Sequence, residues 1–128
     1  MGLRLWGAHL ARAVYDDDSA GWISPAMVDR IAAESLARCD ALDGATDGLV
    51  SHPDACRAGA AAYLDTLRCR SGETGHPTNC LTRVQVDRTI RVYHEGYRLP
   101  YSFANGSTTY LGYNSLEGIS MHLGSQPA

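Results

Sequence analysis

Between Cys39 and Ser51 the sequence runs C-D-A-L-D-G-A-T-D-G-L-V-S, which places Asp40, Asp43 and Asp47 within eight residues, with Gly44 and Gly48 directly after the second and third. Neighbouring carboxylates repel one another when all are ionised, so a chain that crowds them commonly holds something positive between them. Their relative positions, 0, 3 and 7, would fit one face of a helix. Each glycine, however, costs about 1 kcal/mol in a helix interior relative to alanine, whereas glycine readily supplies the positive-φ turns that fold a short loop back on itself. A loop around a hard cation fits better. Calcium takes six to eight oxygens from carboxylates, backbone carbonyls and water, and the carbonyls of Ala45 and Leu49 are best placed to join the three aspartates. Magnesium prefers to keep several waters, and the spacing is not that of an EF-hand. The bland alternative is a surface turn in which Asp caps amides and Asp-Gly forms β-turns.

Other chemistry-bearing residues give less. Cys39, Cys56, Cys69 and Cys80 contain no C-x-x-C pair, so the usual zinc and thioredoxin spacings are absent. His76 and Cys80 are four apart, yet Pro77 argues against a helix presenting both to zinc. Two disulfides are the better reading, with sequential pairing one of three possible connectivities. Each loop would stabilise the fold by roughly 3 kcal/mol on the chain-entropy model. This implies an oxidising, secreted or periplasmic setting. No Gly-x-Ser-x-Gly elbow occurs; Gly118-Ile119-Ser120-Met121 comes nearest and lacks the second glycine. Neither His94 nor His122 has the context of an activated nucleophile, and His94 reads as a cation in the last turn of a helix. No catalytic residue is therefore assigned. Asn105-Gly106-Ser107 fits a glycosylation acceptor, relevant only in a eukaryotic secretory route.

The chain has 128 residues, enough for a single domain over 1–128, and a formal net charge of −3. Its basic residues are spread along the sequence, which excludes the dense basic face expected of a nucleic-acid binder. No apolar run reaches the roughly 18 residues of a membrane span. The start, Met-Gly-Leu-Arg-Leu-Trp, lacks the features of a signal peptide, so secretion would rest on a leader outside this sequence.

The elements that must position the aspartate loop follow from periodicity. Trp6, Leu10 and Val14 predict a helix over Leu3 to Tyr15, ended by the acidic run Asp16–Asp18, a solvated loop. Ser24-Pro25 is a start signal for a helix to about Arg38, with Val28, Ile31, Ser35 and Leu36 on or near its inner face. That helix delivers Cys39 to the mouth of the loop. From Asp40 to about Cys80 no periodicity is sustained, and a long irregular stretch is expected, tolerable if disulfides and a metal staple it. Thr82-Arg83-Val84-Gln85 has capping-box form, Val86, Ile90 and Tyr93 continue a helix to about Glu95, and Gly96 is a plausible terminator. Beyond Pro100 loops are expected, with a short strand near Thr108 to Leu111.

The motif C-D-A-L-D-G-A-T-D-G-L-V, with His52-Pro53-Asp54-Ala55-Cys56, Leu67-Arg68-Cys69 and Cys80-Leu81-Thr82-x-x-Gln85, closely resembles the tannase and feruloyl esterase family over about Ile23 to Gly112. Those enzymes share an α/β-hydrolase core interrupted by a large lid. The resemblance implies a mainly α, loop-rich lid domain stapled by disulfides and calcium. It implies a structural calcium held by Asp40, Asp43 and Asp47 with the carbonyls of Ala45 and Leu49, and disulfides Cys39–Cys56 and Cys69–Cys80. It further implies that the partner is the hydrolase core of the parent enzyme, a serine esterase acting on aromatic esters. The family's nucleophile, acid and His-Cys motifs are absent from this sequence, so the chain alone is expected to be inactive. Tyr97, Tyr101, Phe103, Tyr110 and Tyr113 could face the substrate site, but filling the lid's own core or its seam with the hydrolase is the favoured reading. The alternative function is a free-standing calcium-binding interaction module.

Overall fold

Trp6, Leu10 and Val14 form one stripe of helix α1 (Gly2–Ser19) in the computed structural model, which describes residues 2–71 and 77–118. His76, Ser120 and His122 lie outside the described residues. Helical geometry in α1 stops at Asp16 (ψ 152°), and Asp17, Asp18 and Ser19 all take positive φ. Aspartate tolerates that left-handed region better than most residues, and an ion pair from Asp17 to Arg88 at 3.1 Å holds the turn. The acidic run thus breaks the helix, as its charge predicts.

Helix α2 (Pro25–Cys39) starts where expected: the Ser24 hydroxyl accepts the amide of Met27, with Pro25 at the first helical position. Its inner face is Met27, Val28, Ile31, Ser35 and Cys39, while Leu36 is only half-buried. The expected inward stripe is therefore rotated slightly toward Met27.

The predicted irregular stretch contains two helices, α3 (Pro53–Ala58) and α4 (Ala60–Leu67). His52 Nδ1 accepts the amide of Ala55 at 3.3 Å ahead of Pro53, the same cap-plus-proline arrangement as Ser24-Pro25 with an unusual capping side chain. In α4 the apolar positions Ala60, Tyr63 and Leu67 face the core. Two turns are too short for periodicity to register clearly against the flanking glycines.

Thr82 and Gln85 form the capping box: the Thr82 amide donates to Gln85 Oε1 at 2.8 Å and the Gln85 amide to Thr82 Oγ1 at 3.2 Å. The helix then widens into a π-type stretch (Gln85–Ile90) before α5 (Arg91–His94). The wider turn places Gln85, Val86, Thr89 and Ile90 all on the buried side. Gly96, at φ 80°, ends the helix and opens strand β1 (Gly96–Arg98), paired antiparallel with β2 (Thr109–Leu111). A strand near Thr109 was legible in the sequence; its partner β1 was not. Tyr97 lies directly opposite Tyr110, with the rings stacked at 5.4 Å.

Trp6, Leu10 and Val14 meet Ile23, Met27, Ile31, Tyr63, Leu67, Leu81, Ile90 and Tyr93 in one apolar cluster, joined by Leu116. The fold is mainly helical and carries two disulfides, Cys39–Cys56 and Cys69–Cys80. The second sits beside the bridge between Arg68 and Leu81, where the Cys69 amide donates to the Leu81 carbonyl at 2.9 Å. Among the described residues no helix is long and apolar enough to cross a membrane.

Candidate functional site

The C-terminus of α2 runs into a 3-10 turn (Asp40–Asp43), ended by Gly44 at φ 92°, and the chain turns again at Gly48, φ 81°. Both glycines occupy the left-handed region that the sequence pattern calls for. Asp40 Oδ1 accepts the amides of Asp47 at 3.1 Å and Gly48 at 3.0 Å, drawing the two ends of the loop together. Asp43 Oδ1 accepts the Ala45 amide at 2.9 Å, and Asp47 Oδ1 the Leu49 amide at 3.1 Å. The Ala45 amide, then the Ser51 hydroxyl, hold the Asp43 carboxyl below the ordinary carboxylate range.

These contacts do not bring the carboxylates onto one point: among the described residues, no three carboxylate, imidazole or thiolate side chains converge closely enough to hold a metal. The donors are nonetheless of the kind a hard cation takes, carboxylate and carbonyl oxygens without sulfur or imidazole. Among the described residues no ion pair reaches Asp40, Asp43 or Asp47. Asp40 is half-buried and the others exposed. The nearest arginine in sequence, Arg38, points the other way: it donates to the carbonyls of Cys56 and Leu116, both at 3.1 Å, and lies 4.7 Å over the Tyr63 ring. In chemical type, the loop's donors fit a hard divalent cation.

His94 lies in the last turn of α5, where the sequence places it, but its surroundings were not foreseen. It is buried, with Nδ1 3.5 Å from Glu117 Oε2, and Glu117 also pairs with Arg57 at 3.3 Å. Sequence reasoning missed Glu117, because nothing local marks a lone glutamate as buried; the only hint was its apolar neighbour Leu116.

The tail aromatics divide. Tyr97 and Tyr110 pack against the core, and Tyr113 meets Trp6 edge-on at 5.1 Å, while Tyr101 is exposed beside Phe103. His9 stacks on Tyr97 at 3.9 Å beside an open groove of roughly 660 Å³ whose walls include Arg12, Arg88, Arg91 and Arg98. Three of those arginines already face carboxylates, Asp16, Asp17 and Glu95, so the groove is no strong anion site. Asn105 is exposed in a tight turn in which its Oδ1 accepts the Ser107 amide at 3.0 Å.

The family model described as "Tannase and feruloyl esterase" matches residues 1–128. The chain belongs to the tannase and feruloyl esterase family. Among its relatives, an uncharacterized esterase of Agrobacterium fabrum is 61% identical over 127 residues, which are 99% of this chain and 23% of that protein. A probable feruloyl esterase B of Emericella nidulans is 38% identical over 93 residues, 73% of this chain and 16% of the relative. The crystal structure of feruloyl esterase B from Aspergillus oryzae superposes with a TM-score of 0.63 at 23% identity, over 93% of this chain and 24% of that one. That likeness shows the fold. The chain thus corresponds to about a quarter or less of the length of these tannase-family proteins. A free-standing module gains no support from these matches.

Proposed function

We propose that this chain is the lid domain, residues 1–128, of a tannase or feruloyl esterase type carboxylic-ester hydrolase. The observation that carries the proposal is the family match over the whole chain together with its small share of each relative's length. The missing portion would supply the hydrolase core, the serine nucleophile and its partners. The lid would cover the aromatic-ester site, excluding water and orienting the ester. The two disulfides support a secreted or periplasmic parent, because such bonds persist in an oxidising compartment.

Within this lid, Asp40, Asp43 and Asp47 with the carbonyls of Ala45 and Leu49 would hold a structural calcium. The ion would neutralise three carboxylates that no basic side chain among the described residues pairs with, and pin a loop that lacks a hydrogen-bonded ladder. Its role is stability, and no chemical step runs through it.

Two measurements test this reading. The purified chain should show no turnover of a chromogenic aryl ester, and turnover would overturn the lid assignment. Calcium should raise the melting temperature of the chain, and Asp43→Ala should abolish that rise; an unchanged calcium response would remove the metal site and leave the lid assignment standing.

A further inference from the structure

The segment Asn114–Gly118 crosses the ends of three helices. Ser115, Leu116 and Glu117 are buried, and the Glu117 side chain is fully enclosed. Four contacts grip it. Arg38, in the last turn of α2, donates through Nη2 to the Leu116 carbonyl and through Nη1 to the Cys56 carbonyl, both at 3.1 Å. Cys56 Sγ lies 3.5 Å from that same Leu116 carbonyl. Arg57, in α3, stands 3.3 Å from Glu117 Oε1 and donates through Nη2 to the His94 carbonyl at 3.2 Å. His94 Nδ1 stands 3.5 Å from the other carboxylate oxygen. On the outer side, a side chain at Gly118 would meet Val50, the residue after the aspartate loop, at 3.0 Å.

The two arginines come from helices joined by one disulfide. Cys39 closes α2, Cys56 lies within α3, and both sulfurs are buried. Neither Cys39 nor Cys56 is a member of the apolar cluster that joins α1, α2 and α5. Among the described residues neither oxygen of Glu117 makes a well-aligned hydrogen bond, so Arg57 and His94 are what its side chain meets there. A buried carboxylate that loses its cationic partner is strongly disfavoured where it sits.

We propose that residues 114–118 form a disulfide-dependent clasp. Cys39–Cys56 holds Arg38 and Arg57 on the segment, Glu117 is the group they retain, and breaking the bond frees the segment while the helical core stays folded. In the redox form of the device, a local opening first exposes one of the buried sulfurs, and an external dithiol then attacks it and supplies two electrons and two protons. The disulfide becomes two thiols and the dithiol becomes a disulfide. Arg57 then moves off Glu117, whose carboxylate turns outward to water, and Leu116 leaves the core with it.

Residue-resolved amide hydrogen exchange on the full chain tests this. The protected reporter is the Glu117 amide, which donates to the Asn114 carbonyl at 3.1 Å; amides of α1 and α2 report the core. In Cys39→Ala/Cys56→Ala the reporter should lose about tenfold more protection than the core does, a local opening. Cys69→Ala/Cys80→Ala should slow or speed reporter and core in parallel. With both disulfides intact, Glu117→Gln and Arg57→Gln should each open the reporter selectively, and in Glu117→Gln removal of Cys39–Cys56 should add little further reporter loss. Parallel changes in reporter and core for Cys39→Ala/Cys56→Ala overturn the clasp. So does an unaffected reporter in both charge variants, which remain measurable even if the cysteine variant fails to fold.

Discussion

Asp40 Oδ1 accepts the backbone amide of Asp47 at 3.1 Å, so the carboxylate at one end of the loop ties down the main chain at the other before any ion is invoked. The same oxygen accepts the Gly48 amide. Loop closure and the proposed cation binding are thus separable by substitution at a single side chain. Asparagine keeps the acceptor oxygen and loses the charge. Asp40→Asn should leave ion-free stability within about 0.5 kcal/mol and suppress the calcium-induced rise in melting temperature. Asp40→Ala should cost about 1 kcal/mol even in chelator, because two loop amides lose their partner. Thermal melts with and without calcium check both.

The carboxyl of Asp43 is held low by the Ala45 amide and the Ser51 hydroxyl. A depressed folded-state value means the stabilisation is present above the unfolded carboxylate value of about 3.9 and is lost as pH falls through the lower folded value. Carbon-13 carboxylate titration in chelator should give Asp43 a midpoint below that of an unstructured aspartate. Ser51→Ala should raise it. A midpoint at the ordinary value would show that the amide and hydroxyl contacts do not persist in solution.

Gln85 is fully buried and makes three hydrogen bonds with two residues: it completes the capping box with Thr82 and donates through Nε2 to the Trp22 carbonyl at 2.7 Å. Gln85→Ala removes the cap, orphans buried groups and leaves a void, and should cost about 3 kcal/mol in denaturant unfolding. Gln85→Glu keeps the acceptor for Thr82 but sets a carboxylate against the Trp22 carbonyl. It should be destabilised at pH 7 and partly recover toward pH 4, where the group protonates.

The two disulfides close loops of similar span, with sequence separations of 17 and 11. Chain entropy alone therefore assigns each about 3 kcal/mol, differing by only about 0.4 kcal/mol. Burial separates them: Cys39 and Cys56 are enclosed, whereas Cys69 and Cys80 are half-exposed. Replacing the first pair by alanine should lower stability more than replacing the second, since it also leaves a cavity. Paired denaturant melts at one pH measure the difference.

Local signals were legible wherever a short stretch fixes its own geometry. Ser24-Pro25, the Thr82/Gln85 box, the acidic end of α1 and the turning glycines Gly44, Gly48 and Gly96 all behave as their side chains dictate. The α3 and α4 helices escaped because each is only one or two turns long and the first is capped by a histidine. Strand β1 escaped because three residues carry no period, and only pairing with β2 makes them a strand.

The sequence by itself determined the helix starts and stops, the acidic loop and its oxygen donors, because these depend on contacts within a few residues. Tertiary structure alone decided that Arg38 faces Leu116 instead of the nearby aspartates, that His94 is buried, and that Glu117 is enclosed between His94 and Arg57. Those outcomes join residues far apart in the chain, and the free energy of a buried charge depends on which distant partners folding brings to it.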